Sequence, residues 1–187
     1  MIDYRPLRIA LLGAGSVGAQ VARLLLENKA ELAARVGAEL ELIGVAVRDI
    51  NGKRSADIPS HLLTTDAESL IVAADIVIEV MGGLEPARTY ILQALNSGSD
   101  VITANKALLA THGTELFETA EQVGAQLYFE AAVAAAIPII RPLRESLAGD
   151  KVTRIMGIVN GSTNYILYRM DTAGLTREAA ISEAPEL

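Results

Sequence analysis

The sequence contains no cysteine. Disulfides, thiol catalysis and cysteine-ligated metal are excluded, and the composition suits a reducing compartment, with the cytoplasm the expected location. Basic charge is also scarce. Lys and Arg number 16 against 23 Asp and Glu, a formal net charge of −7 over 187 residues. That balance argues against nucleic acid or an anionic membrane as partner. It leaves a nucleotide cofactor open, because a phosphate loop works through backbone N–H groups rather than net charge. No apolar run reaches the roughly 18 residues of a membrane span. Asp3, Arg5 and Arg8 lead directly into the first motif, so no signal peptide is expected. Histidine is limited to His61 and His112, neither with a metal-ligand partner at useful spacing. No Ser/His/Asp set, paired acid site, repeat or low-complexity segment stands out.

What is present is a globular composition, 51% apolar and 21% charged, able to bury a real core. The length suggests one domain, or one and a part. Apolar runs alternate with helical patterns. Strands are expected at Arg8 to Leu12, Leu40 to Val47, Ile76 to Val80, Val101 to Ala104 and Gln126 to Glu130. Helices are expected at Ser16 to about Arg35, Asp66 to Ile71, Pro86 to Ser97 and Thr114 to Val123, with Arg48 to Ser60 a loop. This order predicts an α/β fold: a parallel sheet covered on both faces, doubly wound in the Rossmann manner. Ligands then bind beyond the carboxyl ends of the strands. After a small-residue run ending at Pro138, a helix over Ile139 to Leu147, a long strand over Lys151 to Val159 and helices over Thr163 to Ala173 and Thr176 to Leu187 are expected. One strand and two or three helices do not make a self-sufficient domain. Residues 1–137 therefore read as a dinucleotide-binding domain, and 138–187 as the start of an α+β second domain whose remainder is absent.

The strand-to-helix turn Gly13-Ala14-Gly15-Ser16-Val17-Gly18 is a G-x-G-x-x-G phosphate loop. Its glycines serve the tight turn, close approach to the pyrophosphate and helix–strand packing, while the helix N-terminus favours the anion. The second strand ends in Val47-Arg48-Asp49. An acid there grips the ribose hydroxyls of NAD, and an arginine accepts the 2′-phosphate of NADP. Arg48, with Lys53 and Arg54 following, tilts the reading to NADP without settling it. Met81-Gly82-Gly83 turns after the third expected strand, and Asn105-Lys106 follows the fourth. A positioned ammonium at Lys106 suits either the charge developing on a carbonyl oxygen during hydride transfer or a contact with the nicotinamide. The small residues between Glu130 and Pro138 expose backbone carbonyls that suit a hard cation or a close cofactor, or else form a tightly packed crossover. In Asn160-Gly161-Ser162-Thr163-Asn164, Ser162 or Thr163 can cap a helix and also reach a ligand.

Together these segments resemble homoserine dehydrogenase over nearly the whole chain. The carrying strings are residues 13–18, the run Ala104-Asn105-Lys106-Ala107-Leu108-Leu109-Ala110, Glu130 to Ile140, and Gly157 to Leu167. The resemblance implies reversible NAD(P)-linked interconversion of homoserine and aspartate semialdehyde, a step of threonine and methionine biosynthesis. It implies a small-molecule substrate and a homodimer in the full-length protein. It places Lys106 between cofactor and substrate and Ser162 on the amino-acid substrate. The backbone carbonyls of Glu130, Val133, Ala135 and Ile137 fall on the family's sodium-binding turn. The family usually has glycine where Ala135 and Ala136 stand, so their Cβ atoms are expected to strain that turn. The family's second lysine and its substrate-binding acids lie beyond Leu187, so little turnover is expected of these residues alone. Two other readings remain open: an aspartate-dehydrogenase-like enzyme of the same fold, and a non-catalytic NAD(P)-sensing module.

Overall fold

The computed structural model describes residues 5–52, 57–158 and 161–184. They form two compact units, Met1–Ile140 and Arg141–Leu187.

The first unit holds a six-stranded, wholly parallel sheet in the order β3-β2-β1-β4-β5-β6. The strands are β1 (Leu7–Leu12), β2 (Leu40–Ala46), β3 (Leu63–Thr64), β4 (Ile76–Glu79), β5 (Asp100–Thr103) and β6 (Leu127–Tyr128). Side chains along β1 alternate between the two faces, as the period of two requires. Ala10 and Leu12 pack with Ile71, Ile91, Leu95, Leu108 and Leu116 on one face, whereas Ile9 and Leu11 pack with Ala22, Leu25, Leu42 and Val45 on the other. Both faces are covered, as the apolar character of the strand runs foretold. Helices α3 (Ala67–Ala73), α4 (Ala87–Asn96) and α5 (Lys106–Val123) supply the first cover, and α1 (Ser16–Glu27) the second.

Several elements differ from expectation. The helix foreseen from Ser16 is two helices, α1 and α2 (Lys29–Val36), joined at Asn28. Asparagine has low helix propensity, and it sits here outside the helical dihedrals. The two-residue edge strand β3 gives no periodic signal; its pairing with Val45 and Ala46 places it. Helix α5 begins eight residues before Thr114, because the Asn105 side chain accepts a hydrogen bond from the Leu108 N–H (3.1 Å) and caps it. Strand β6 is shorter than Gln126 to Glu130. The segment after it begins with a short helix, α6 (Glu130–Ala134).

In the second unit, a π-helical turn (Pro142–Ser146), closed by Leu147 N–H to the Pro142 carbonyl (2.9 Å), replaces the regular helix expected over Ile139 to Leu147. Helices α7 (Gly161–Ala173) and α8 (Arg177–Glu183) follow, the latter capped by Thr176 accepting from Ala179 N–H. The strand expected over Lys151 to Val159 is overturned: residues 151–158 have no regular structure. An extended chain becomes a strand only by pairing its amides and carbonyls. Among the described residues of this unit there is no other strand to pair with.

Candidate functional site

The carboxyl ends of β1, β4 and β5 bring three turns side by side, and each is built by a different device. After β1, Gly13 has φ +102°, a region closed to most side chains. A Cβ on it would lie 3.1 Å from the Val80 carbonyl and 3.1 Å from Met81 Cα. Gly18, in the first turn of α1, approaches more closely still: its Cβ would stand 2.0 Å from the Gly13 carbonyl oxygen. Gly15 is the N-cap of α1 and has nothing within 4 Å of its Cβ position. No side chain caps α1, and no acid occupies its first turn. The amides ahead of Ala19, which donates to the Gly15 carbonyl (2.8 Å), thus have no intrahelical acceptor. Gly15, Ser16 and Val17 are exposed at the positive end of a twelve-residue helix, an arrangement that receives an anion. Ala14 is half-buried against the core on the α1 side, while Ser16 and Val17 are exposed.

After β4 the chain turns through Met81, Gly82 and Gly83, and here a buried acid organises the backbone. Glu79 is fully buried at the last position of β4. Its Oε1 accepts from Met81 N–H (2.7 Å) and Gly82 N–H (3.3 Å), and its Oε2 accepts from the Thr103 hydroxyl (2.6 Å). Thr103, also fully buried, ends β5, and its hydroxyl oxygen accepts in turn from Asn105 N–H (3.0 Å). The Asn105 amide donates back to the Gly83 carbonyl (2.7 Å) while its oxygen caps α5. The two strand ends are thereby tied together by two cross-links, Thr103 to Glu79 and Asn105 to Gly83. Sequence reading placed Met81, Gly82, Gly83 and Asn105 here but missed Glu79 and Thr103. The available signal was an acid closing the otherwise apolar strand Ile76-Val77-Ile78-Glu79, at the sheet end where ligands bind.

Lys106 is the first residue of α5 and is exposed. A cation at a helix N-terminus works against the helix dipole, so the charge of this lysine disfavours α5 rather than supporting it. Val47 and Arg48 follow β2, with Val47 N–H bonded to the Thr64 carbonyl (2.8 Å) and Arg48 exposed. Asp49 turns the loop, its carboxylate accepting from Asn51 N–H (2.9 Å). Lys53 and Arg54 lie outside the described residues.

Beyond β6, α6 stops at Ala135, which has φ +51° and ψ −113°, the one non-glycine with positive φ among the described residues. The strain expected of alanine is thus present at Ala135, whereas Ala136 has no positive φ. The Glu130 side chain accepts from the amides of Ile139 (2.5 Å) and Ile140 (2.8 Å), closing the segment that contains Val133, Ala135 and Ile137. Phe129 at the α6 N-terminus packs edge-on against Phe117 of α5, ring centroids 5.0 Å apart. Ser162 lies in the second unit. Because α7 starts at Gly161, Ser162 and Thr163 are inside its first turn rather than capping it; Val159 and Asn160 lie outside the described residues. His61 sits in a 3-10 turn, and His112 on α5 lies 3.6 Å from Glu115, so neither joins the strand-end cluster. Among the described residues no group of His, Asp and Glu is arranged to hold a metal, and no helix is long and apolar enough to cross a membrane.

Opposite the site, at the start of β4, Asp75 receives the guanidinium groups of Arg5 (2.7 and 3.0 Å) and Arg8 (3.0 and 3.2 Å) and the Arg8 N–H (2.8 Å). These hydrogen bonds hold its carboxyl well below the usual carboxylate range. The cluster fastens the far end of the sheet and plays no part at the loops.

A parallel sheet ordered 3-2-1-4-5-6, with a glycine loop opening the first helix, defines a dinucleotide-binding domain of the Rossmann class. Residues 13–130 match the model of the homoserine dehydrogenase NAD-binding domain, and residues 138–187 that of homoserine dehydrogenase. The chain belongs to the homoserine dehydrogenase family. It is 52% identical over 187 residues to homoserine dehydrogenase of Mycobacterium tuberculosis, covering 99% of this chain and 42% of that protein. With homoserine dehydrogenase of Corynebacterium glutamicum it shares 52% identity over 181 residues, 96% of this chain and 40% of the relative. A crystal structure of a homoserine dehydrogenase from Thiobacillus denitrificans superposes with a TM-score of 0.80 at 38% identity, covering 96% of this chain and 42% of that one. A hyperthermophilic archaeal homoserine dehydrogenase in complex with NADPH superposes with a TM-score of 0.74 at 29% identity, covering 96% and 60%. The chain spans about two fifths of the length of the curated relatives it matches.

Proposed function

We propose that this chain is the cofactor-binding part, with the entrance to the catalytic domain, of an enzyme that interconverts homoserine and aspartate semialdehyde with NAD(P). The observation that carries the cofactor half is the open cradle at Gly15, walled by Gly13 and Gly18 and faced by the uncapped amides of α1. Residues 13–18 hold the pyrophosphate. Val47 and Arg48 flank the adenosine ribose, where the exposed arginine favours the 2′-phosphate of NADP over NAD. Met81, Gly82, Gly83 and Asn105 border the nicotinamide half. The dinucleotide supplies the hydride acceptor or donor for the substrate carbon. Lys106 stands where its ammonium stabilises negative charge on the reacting oxygen and moves a proton to or from it. The two domains divide at about 137/138, and Ser162 touches the amino-acid substrate.

The sodium site is part of the same proposal. Val133 lies in the last turn of α6, where helix carbonyls lack intrahelical partners. With the carbonyls of Glu130, Ala135 and Ile137 it offers neutral oxygens of the kind a hard cation takes. The ion would brace the segment between α6 and Pro138. The whole protein is proposed to be a cytoplasmic homodimer.

Titrating residues 1–187 with NADPH and NADH tests the cofactor reading. Saturable binding is expected, tighter for NADPH; failure of both to bind overturns it. Homoserine-dependent reduction of NADP+ is then measured in a protein of the relatives' full length that carries this segment. Loss of that activity on Lys106→Ala is expected, and full activity without the lysine would remove it from the chemistry.

A further inference from the structure

Glu79 is the one fully buried carboxylate among the described residues, and no step of the proposed reaction uses it. Burying a charge-bearing group is costly unless its oxygens are hydrogen-bonded. Here both are, and the three donors come from groups that shape the site: two loop amides after β4 and a hydroxyl at the end of β5. Its partners have a direction. Asn105 N–H donates to the Thr103 hydroxyl oxygen, so that hydroxyl turns its own proton to Glu79. The Met81 amide held by Glu79 also lies 3.2 Å from the Cβ position of Gly13, so the turn after β4 stands directly beside the loop after β1.

We propose that Glu79 is a positioning residue for the nicotinamide half of the cofactor: its carboxylate locks the Met81–Gly83 turn and, through the Thr103 hydroxyl, the Asn105–Lys106 start of α5. This rests on the cofactor reading above. Glu79 fills the Met81 and Gly82 amides from inside the protein. These two amides are therefore not available to a phosphate, and the β4 turn presents a fixed surface to an uncharged or cationic ring. Lys106 takes its place from the same lock, since Asn105 both caps α5 and receives the Thr103 link.

The test compares binding of the preferred nicotinamide cofactor, NADPH or NADH, with binding of ADP, which carries the adenosine and both phosphates but no nicotinamide. Two variants break the lock. Glu79→Gln turns one acceptor into a donor and leaves the Thr103 hydroxyl proton without its acceptor. Thr103→Val keeps the shape and removes the hydroxyl. Each is expected to weaken the nicotinamide cofactor about tenfold while ADP changes less than about twofold. Thr103→Ser, which restores the hydroxyl, is expected to bind both as the parent does. Thermal melting checks folding, and Thr103→Val carries the test if Glu79→Gln does not fold. Unchanged cofactor binding in the folded variants overturns the proposal, as does equal weakening of cofactor and ADP, which would mark Glu79 as merely structural. A parent chain that binds neither ligand refutes the cofactor reading itself, and the inference with it.

Discussion

Gly15 and Gly18 sit three residues apart in one loop, and the structure assigns them opposite sensitivities to the same change. A Cβ at Gly18 would stand 2.0 Å from the Gly13 carbonyl oxygen and 2.9 Å from its carbon. That carbonyl cannot swing aside, because Gly13 N–H is bonded to the Ala46 carbonyl (2.9 Å) and its φ is +102°. In Gly18→Ala the start of α1 must retreat by roughly 1 Å, an overpacking strain of about 2–3 kcal/mol. For a chain of this length that is a fall in melting temperature of about 4–12 °C. At Gly15, φ is −70° and the Cβ position meets nothing within 4 Å. Alanine is the poorer N-cap, so Gly15→Ala is expected to cost below about 1 kcal/mol and under about 4 °C. On the proposed reading its methyl group nevertheless enters the space through which the pyrophosphate reaches the α1 amides. Cofactor affinity should drop at least about tenfold, or about 1.4 kcal/mol. Differential scanning calorimetry and NADPH fluorescence titration read the two effects separately. A Gly15→Ala chain that binds cofactor like the parent refutes the cradle, and a Gly18→Ala chain that melts like the parent refutes the helix–loop packing.

Asp75→Asn is expected to lower stability at neutral pH by about 2 kcal/mol, the loss of charge-assisted bonds to a side chain only 17% exposed. Because the folded-state pKa of Asp75 is depressed, this stability is present above the unfolded value of about 3.9. It is lost as pH falls below that value toward the folded pKa, so denaturant curves of parent and variant should converge below about pH 4. A gap that persists under acid would show that the bonds are not the source. Ala135→Gly relieves an alanine held at φ +51°, ψ −113°; after glycine's extra unfolded-state entropy, a net gain of about 1 kcal/mol in urea unfolding is expected. A loss there would mean that the Cβ contributes packing the dihedrals do not reveal. In the proposed full-length enzyme, Lys106→Ala should lower kcat about a hundredfold with cofactor affinity nearly unchanged. The reverse pattern would move the ammonium from the substrate oxygen to the cofactor.

The layer order and the ligand-binding end of the sheet were legible because β-branched runs and the glycine loop carry their signal locally. Arg8–Leu12 and Ile76–Val80 read as buried strands because their side chains fill both faces of the sheet. What escaped depends on groups distant in sequence. The start of α5 hangs on the Asn105 side chain meeting Leu108 N–H, and a capping asparagine looks like a loop residue until its partner is known. Thr111, His112 and Gly113 have weak helix propensity, which tertiary packing of Leu108 and Leu116, both fully buried, overrides. Residues 151–158 show the converse. The pattern there is strand-like, yet Ile155, Met156 and Ile158 are exposed, and pairing rather than pattern decides whether a strand exists.

The same logic explains why the phosphate loop was found at once and Glu79 was not. A glycine loop advertises its function by what it omits, since each missing Cβ leaves a countable spacing in the sequence. Glu79 acts by what it occupies, and its three donors come from positions 81, 82 and 103 on two strands and their turns. Once both are placed, the neighbouring strand ends become chemically unequal. The amides in the first turn of α1 have no acceptor within the helix, whereas the Met81 and Gly82 amides after β4 are filled by Glu79. A dinucleotide laid across them has, on the proposed reading, one favourable orientation: phosphates on α1 and the ring on the β4–β5 side, next to Lys106. Orientation then follows from which backbone donors the protein has already used, and that is a property of the folded strand ends rather than of any one motif.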